Sequence, residues 1–467
     1  MIAAVAWVIG VLLAGQAAWA VPYEAAVLAD NPIAYWRFNE TSGINAVDAT
    51  GNLHDGTYLG GYTLAQPSAF PGLGTAVLFT SSLSGRVRVP DHTAFDLGTG
   101  DYTIEAWYNT NTTSRGDIFT YKGTGGDLGV HSASQSASTI SLYHNAFRAQ
   151  SSAVPINTWH HLAVTRAGTA VTIYIDGIPR GSGTSSDTWN IANDLLIGSN
   201  HTGNPSNPAL AFSGLLDEVA IYGTALSQVQ VLTHIDAAAG RLARIGINFV
   251  GGGGPGAGQN RTLSNTDGWA GLVPQINWNN ANGASGTLNA LIDHLGAPTT
   301  ASISWTTNAT YSTGNGSSTA NHILMNGYVD VHDNQTGTFI VTGIPYPLYH
   351  VYVYTDSDAA DSRDESINLV TGAGDYGTVW VSDESNFTGT FTRATATSLN
   401  GPGAQGNYVL FENVIGSSFT LTGTARNFRS FINGIQVVAA VPEPTTLSLL
   451  ALGGLGLLRR RCRRHGA

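Results

Sequence analysis

The segment DATGNLHDG, residues 48–56, has the side chains that a hard cation needs. Asp48, Asn52, His54 and Asp55 lie among glycines in a tight loop, where carboxylate and main-chain oxygens can surround a calcium ion. The sequence therefore predicts Asp48 as a ligand of a structural calcium ion. Asx turns can organise a loop of the same composition without a metal, and the sequence leaves both alternatives open.

Asp217 is the residue best suited to hold such an ion. Counting by two along its predicted strand puts it on the same face as Leu215, Val219 and Ile221, so its carboxylate is expected in an apolar layer. Because an unpaired buried charge is costly, Asp217 must meet an arginine, several backbone N–H groups or a metal ion. All three partners stay open. Glu218 is predicted to point to the opposite, solvated face.

Side chains suited to catalysis are few and scattered. Glycosidases flank the scissile bond with two carboxylates, whereas in this sequence Glu105 stands alone beside Trp107. His160 and His161 fall on opposite faces of one strand, without a neighbouring serine, cysteine or third metal ligand, so a structural role is predicted for both. The sequence predicts no catalytic residue and a protein that is not an enzyme.

A hairpin at residues 157–177, NTWHHLAVTRAGTAVTIYIDG, positions these histidines. Hydrophobic and polar residues alternate over 171–175, which predicts a half-buried strand. Residues 166–169 are expected to form a four-residue loop, and Asp176-Gly177 is typical of a type I′ turn. Because a hairpin needs at least a third strand to be stable, the rest of the first half should supply the sheets that cover it.

The hairpin resembles the middle of the bacterial laminin-G-like domains, which are concanavalin A-like jelly rolls. The same family order continues in AYWRFNETSG (34–43), DATGNLHDG (48–56), DYTIEAWYNT (101–110) and GLLDEVAIYGTALS (214–227). The resemblance covers about residues 23–238 and implies an all-β sandwich. In related jelly rolls an aspartate on the strand of Asp217 helps to hold a structural calcium ion, so the resemblance implies calcium as a cofactor.

The second half of the chain predicts another sandwich. A Ser-x-x-Gln capping box at 227–230 predicts a helix that ends near Gly240, where the first domain stops. Short strand-like runs separated by Gly, Asn and Ser then predict a β-sandwich over 241–440. Its segments VPQINWNN and FINGIQVV resemble C-terminal modules of secreted planctomycete and verrucomicrobial proteins. The acidic run from Asp356 to Asp364 lacks EF-hand spacing, and a solvated loop is predicted there.

Composition excludes several classes of partner. The 467-residue chain carries 20 basic and 31 acidic residues, and five of the basic ones lie in one run at 459–464. Leaving out these five and Glu443 leaves 15 basic against 30 acidic residues, a net charge near −15. Such a surface repels phosphate backbones, so no nucleic-acid partner is predicted. The only cysteine is Cys462, which excludes an internal disulfide.

The N-terminal residues predict export. Residues 2–20 are almost wholly apolar, and Ala18 and Ala20 place a small residue at each position that signal peptidase recognises. The sequence therefore predicts a signal peptide over 1–20, so that the first domain spans 21–240. An uncleaved membrane anchor is the alternative, and in either case the body is exported.

The C-terminal residues 441–467 resemble the PEP-CTERM sorting signal. The motif is Pro442-Glu443-Pro444, followed by an apolar run of 14 residues and then five arginines. The resemblance implies an apolar helix in the membrane before processing, cytoplasmic arginines and an exosortase-type sorting enzyme as a partner. Spanning a bilayer needs roughly 20 residues, so a buried core helix is the alternative, although such a helix would not end in five arginines.

These patterns predict a bacterial protein of the cell envelope, cell surface or extracellular matrix. A non-enzymatic role in binding or adhesion is expected, with glycans or surface proteins as partners. The alternatives are a glycoside hydrolase-like enzyme with an unrecognised site and a purely structural envelope protein. Aromatic side chains are the usual sugar platforms, and the candidates, each also expected in a core, are Trp36, Trp107, Trp159 and Trp189.

Overall fold

A computed structural model describes residues 22–123, 126–133, 135–190, 193–200, 210–254, 256–357, 363–383, 385–427 and 429–441. The chain divides into two compact units between Arg241 and Leu242, and the sequence placed the domain boundary after residue 240. Both units are built almost wholly of strands, which confirms the predicted all-β class. The predicted signal peptide and the sorting signal, with its motif and apolar helix, lie outside the described residues.

The first unit consists mainly of short strands. In chain order its elements are α1 (Tyr23–Ala29), β1 (Ala34–Trp36), β2 (Asn45–Ala46), β3 (Gly56–Leu59), β4 (Tyr62–Pro67), β5 (Thr75–Phe79), β6 (Arg86–Val89), β7 (Tyr102–Thr110), β8 (Gly116–Gly123), β9 (Gly126–Ser132), β10 (Ile140–His144), β11 (Phe147–Gln150), β12 (His160–Ala167), β13 (Ala170–Ile175), β14 (Ile178–Thr184), β15 (Leu195–Ile197), β16 (Gly214–Tyr222) and α2 (Gln228–Ala238). Short 3₁₀ turns occupy Pro71–Leu73, Ser81–Leu83 and Thr93–Phe95.

Two antiparallel sheets form the sandwich of this unit. The first sheet has the order β14-β13-β12-β7-β16-β5-β4, with β1 also paired to β16, and the second has the order β11-β10-β9-β8-β15-β6-β3-β2. Their facing sides share one core, in which Ile104 and Leu162 of the first sheet join Phe119 and Val130 of the second. The predicted jelly-roll sandwich is confirmed.

The predicted hairpin is formed by β12 and β13, with a tighter loop than expected. Arg166 pairs with Val171 in the ladder, so the chain reverses over two residues rather than four. The guanidinium of Arg166 is buried and donates to the carbonyl oxygens of Gly98 and Gly100, which holds this residue in the strand. The next turn has positive φ at both central positions, 53° at Asp176 and 75° at the following glycine, as type I′ geometry requires.

Two glycines bring the edges of the sheets together on one side. A Cβ atom at Gly181 would lie 2.3 Å from the carbonyl oxygen of Gln150, and one at Gly183 would lie 1.7 Å from that of Arg148. Only glycine therefore lets β14 approach the backbone of β11 so closely. A hydrogen bond from Ser152 N to Arg180 O, 3.0 Å long, continues this contact.

The second unit is a second sandwich, as predicted. Its elements are β17 (Arg244–Phe249), β18 (Asn279–Ala281), β19 (Ser285–Leu288), β20 (Ser302–Thr306), β21 (Ala309–Ser312), α3 (Ala320–Asn326), β22 (Gly327–His332), β23 (Thr336–Thr342), β24 (Leu348–Tyr354), β25 (Arg363–Thr371), β26 (Gly374–Asp383), β27 (Tyr408–Ile415), β28 (Ser418–Asn427), β29 (Arg429–Ile432) and β30 (Gly434–Ala439), with a 3₁₀ turn at Ala257–Gln259.

Two of its sheets enclose the main core of this unit. The sheet β18-β17-β30-β24-β27 contributes Ile247 and Val351, and the sheet β19-β20-β23-β28-β25-β26 contributes Phe339 and Leu421. A third, smaller sheet of this unit has the order β21-β22-β29. The strands alternate buried and exposed residues where one face meets water, as in β23.

The first sheet of the first unit carries a buried carboxylate on the face that points away from its core. Glu105 of β7 is fully buried. Its Oε1 lies 2.7 Å from His161 Nε2 and 2.9 Å from Nδ1 of His234 on α2, while Tyr222 Oη donates to Oε2 at 2.6 Å. Asp30, directly after α1, lies 3.1 Å from His234 Nε2. Two imidazoles and a phenol thus contact Glu105, and the sequence did not predict these partners.

Charge complementarity stabilises this array. Burial acts to raise the pKa of Glu105, but His234 and His161 together hold it well below its usual range. Burial acts to lower the pKa of His234, but Glu105 and Asp30 raise it to about 10. The hydrogen bond to His234 in turn lowers the pKa of Asp30. Because losing one partner of a buried ion pair costs about 3–5 kcal/mol, the array fixes both helices to the sheet.

We expect the free energy of unfolding of the first unit to fall as the pH rises from 6.5 to 10. The pKa of His234 is 6.5 in an ordinary setting and about 10 in the folded chain, so its contribution is complete below pH 6.5 and is lost as the pH passes through 10. Urea unfolding of wild type and His234→Gln across this range measures the effect, and the variant should have a flatter profile. His92→Gln, at an exposed histidine of the same unit, is the control. Equal slopes in wild type and His234→Gln would contradict this role.

Candidate functional site

The loop that contains Asp48 is organised by hydrogen bonds to its carboxylate. Oδ1 accepts from Tyr35 N and Thr50 N, each at 3.0 Å, and Oδ2 accepts from His54 N at 3.0 Å. The contact with Thr50 N is that of the Asx-turn alternative, and β1 and the loop together satisfy both oxygens. The partners of Asp48 and of Asp217 differ: Asp48 accepts from backbone N–H groups, whereas Asp217 accepts from Ser68 Oγ.

A β-bulge in β16 changes the predicted position of Asp217. Glu218 has a φ of 52°, and the register with β7 shifts between Asp217 and Ala220. The bulge adds one residue to the alternation, so Val219 belongs to the core while Asp217 points to the other face of the sheet. Placing Asp217 on the face of Val219 was therefore wrong. The predicted solvation of Glu218 is also wrong, because this residue is fully buried.

Asp217 and Glu218 form a buried acidic pair. Ser68 Oγ donates to Asp217 Oδ2, Tyr35 Oη donates to Glu218 Oε2, and the guanidinium of Arg37 lies 3.4 Å from Glu218 Oε1. Burial, and then repulsion from Glu218, raises the pKa of Asp217 well above its usual range. Burial raises that of Glu218 to about 8, against the hydrogen bond from Tyr35 and the charge of Arg37. Within the described residues Asp217 Oδ1 is buried without a hydrogen-bond partner.

A calcium ion would neutralise this pair, although the donor set is small. In the described part of the chain no group of three or more His, Cys, Asp or Glu side chains is spaced to hold a metal. Main-chain carbonyls and water would therefore have to supply most of the 6–8 oxygen ligands that calcium takes. Asp217 remains the predicted ligand of a structural calcium ion in this unit.

We expect calcium to raise the melting temperature of the first unit through Asp217. An ion that binds only the folded state adds about 2.7 kcal/mol of stability at a hundredfold excess over its Kd. Thermal melts with calcium and with a chelator measure the shift, and Asp217→Asn should lose it. Asp101→Asn, at an exposed aspartate of the same unit, is the control. Equal melting temperatures in wild type with and without calcium would show that this pair holds a proton instead.

A cleft of about 230 Å³ opens on the outward face of the second sheet. Core residues such as Val130 and Leu142 alternate along β9 and β10 with His131 and Tyr143, which line the cleft. Gly129 makes room for the imidazole, because a Cβ atom there would lie 2.3 Å from His131 Nε2. The pleat of two neighbouring strands thus presents these side chains on one surface.

The floor of the cleft is polar and charged. Arg115 donates from Nε to Asp117 Oδ1 at 2.9 Å and from Nη2 to Oδ2 at 3.2 Å, which is a two-point ion pair. Asn200 Nδ2 donates to Asp117 Oδ2 at 2.5 Å, and Arg115 Nη2 lies 3.4 Å from His131 Nε2. Asp117 is fully buried, so these contacts fix the orientation of the guanidinium and amide groups.

Aromatic rings form one wall of the cleft. Tyr143 stacks on His131 with ring centroids 6.0 Å apart and an interplanar angle of 24°, and Phe147 meets Tyr143 edge-on at 5.2 Å. Phe147 is 43% exposed. An exposed ring beside oriented polar groups suits a ligand with both apolar and hydroxyl-bearing faces, such as a sugar.

The aromatic candidates from the sequence do not form this site. Trp36, Trp107 and Trp189 are buried, and Trp159 is half-buried. The residues of the cleft were not predicted, because they come from separate strands and a segment after β15. The alternation of the two strands could have placed His131 and Tyr143 on the face away from the core, but it could not have shown that they lie together.

Comparison with known proteins identifies parts of the chain. Residues 81–232 match the concanavalin A-like lectin/glucanases superfamily in its laminin-G group, and residues 440–464 match the PEP-CTERM protein-sorting motif. The first unit contains a laminin-G-like domain. No match was found among curated proteins. The chain is an exported protein of the bacterial cell envelope, and its sorting signal implies processing by an exosortase-type enzyme. No helix in the described ranges combines the length and hydrophobicity that crossing a bilayer requires.

Several solved structures are similar to part of the chain. Domain 4 of a GH43 extracellular arabinanase from Geobacillus stearothermophilus, solved with arabinotriose, is 23% identical over 44% of this chain and 98% of its own, with a TM-score of 0.34. A Trypanosoma rangeli sialidase solved with the inhibitor DANA is 13% identical over 43% of this chain and 32% of its own, with a TM-score of 0.32. These values describe distant likenesses of fold.

The prediction that the protein is not an enzyme must be corrected. The matching superfamily joins lectins with glucanases, so it supports a role connected with carbohydrates and contradicts the exclusion of enzymatic activity. The hydrolase alternative fits this description better than a strictly non-enzymatic adhesin does. The sequence argument failed because it searched for two carboxylates along one strand, whereas a cleft can collect them from several.

Proposed function

We propose that the laminin-G-like domain binds a carbohydrate of the cell envelope or its surroundings in the cleft of the second sheet. The observation that carries the proposal is the pairing of the exposed Phe147 ring with the fixed Arg115–Asp117 pair in one cleft. The ring offers a flat apolar surface for the C–H face of a sugar, and the polar floor offers hydrogen bonds to its hydroxyls. The superfamily description supports the same ligand class.

Glycan hydrolysis is the second candidate function. Asp127 lines the cleft, and Asp117 lies beneath it against Arg115 and His131, so two carboxylates are associated with one site. A glycosidase needs a carboxylate pair to act as acid and as base or nucleophile. Because Asp117 is held in a two-point ion pair, Asp127 is the better placed of the two to reach a bound sugar.

We expect Phe147→Ala to weaken sugar binding about two- to twelvefold, because an aromatic contact contributes about 0.5–1.5 kcal/mol. A glycan array identifies the sugar, and calorimetry with that sugar measures the affinity of wild type and variant. Truncating a ring that is 43% exposed should cost little stability. Val229→Ala, which truncates a 46% exposed side chain on α2, is the matched control.

A reducing-sugar assay with the same ligand separates binding from cleavage. If the domain is a hydrolase, Asp127→Asn should abolish turnover and retain binding. If it only binds, neither wild type nor variant should release reducing ends. An affinity that Phe147→Ala leaves unchanged, or an array without a single bound glycan, would contradict the proposed cleft.

A further inference from the structure

One end of the second unit gathers buried acidic side chains from separate segments. Asp356, two residues after β24, is fully buried, and Asp383, the last residue of β26, is 4% exposed. Glu365 on β25 is also fully buried, and Asp364 beside it is 7% exposed. The predicted solvated loop is therefore wrong for both described aspartates of that run. Burial of carboxylates at this density demands compensation.

Among the described residues, a side-chain amide and a backbone amide hold the carboxylate of Asp356. Asn315 Nδ2 and Phe387 N donate to its Oδ2, the second at 3.2 Å. Its Oδ1 is buried and has no hydrogen-bond partner among the described residues, and the same is true of Asn315 Oδ1. Asp383 Oδ2 accepts from Ser357 N at 2.8 Å and from Ser357 Oγ at 2.5 Å. Asp356 and Asn315 thus each have one buried oxygen without a hydrogen-bond partner among the described residues, and so does Glu365 at Oε1.

The electrostatics of the cluster favour an added positive charge. Burial, and then the charge of Asp383, raises the pKa of Asp356 well above its usual range. Burial also raises the pKa of Asp383 to about 6 and that of Glu365 to about 8. Arg363 faces Asp383 across the ladder of β25 and β26. Four buried carboxylates, those of Asp356, Asp364, Glu365 and Asp383, lie at this end with the guanidinium of Arg363, so the described part of the cluster carries more acidic than basic groups.

We propose that this end of the second unit binds a divalent cation of the calcium type between Asp356 and Asp383, with the amide oxygen of Asn315 as a further ligand. Carboxylate and amide oxygens are the donors that calcium prefers, and its flexible coordination accepts an irregular set. This donor set contains only two acidic side chains, which agrees with the lack, among the described residues, of a group of three or more His, Cys, Asp or Glu side chains spaced to hold a metal. Main-chain carbonyls and water complete such a shell in calcium sites.

A shared proton is the competing explanation for the same geometry. Two carboxylates that cannot both ionise can hold one proton between them, which would also satisfy an unpaired oxygen. The two explanations differ in their response to calcium. A proton-sharing pair gains nothing from the ion, whereas a cation site is stabilised by it through mass action.

The test uses the full exported chain carrying Asp217→Asn, so that the first unit cannot supply the response. Calcium at a hundredfold excess over its Kd should raise the melting temperature of the second unit by about 5–10 °C. Asp356→Asn and Asp383→Asn should each lose this shift, while their melting temperatures without calcium stay equal or rise, because a neutral amide fills the same space without repulsion. Asp333→Asn, at an exposed aspartate of the same unit, should keep the full shift.

Calcium titration calorimetry on the Asp217→Asn chain measures binding directly, and it is applied to the variants whose melts without calcium show that they fold. Binding at one site, lost in Asp356→Asn and Asp383→Asn, would support the proposal. An absence of binding, or a shift of equal size in both of these variants, would overturn it. In the first outcome the pair holds a proton, and in the second the ion lies elsewhere in the chain.

Discussion

The buried carboxylate of Glu105 is the constraint on which the first unit depends. A charge on the outer face of a central strand cannot stay unpaired, and the sheet itself supplies only one imidazole, from His161. The remaining compensation comes from His234 on α2, which in turn contacts Asp30 at the end of α1. Both helices must therefore cover this sheet. The outward face of the other sheet is where the cleft opens.

Local patterns predicted the local structure well. The hairpin of β12 and β13 and the capping box of Ser227 with Gln230 were confirmed, because each depends on residues close together in the chain. The bulge at Glu218 was not predictable by counting, since one residue in a left-handed conformation reverses the faces of everything after it. The partners of Glu105 were not predicted for a different reason: they lie 56 and 129 residues away in sequence.

Function was harder to predict because both candidate sites are assembled from distant segments. Arg115, His131 and Phe147 carry no motif, and only the pairing of their strands brings them to one cleft. Asp356 and Asp364 were predicted to be solvated because periodicity indicates which residues share a face and not which face another segment covers. The family resemblance predicted the fold of the first unit and the sorting signal, whereas the cleft was found only in the structure.

The close approach of β14 to β11 through Gly181 and Gly183 determines whether these two strand edges are open to another chain. An unprotected edge strand offers a row of free N–H and C=O groups on which another chain can add a strand, the first step of aggregation. Here two edges shield each other, and any side chain larger than hydrogen would separate them. Both glycines therefore keep these two edges closed to strand addition by another chain.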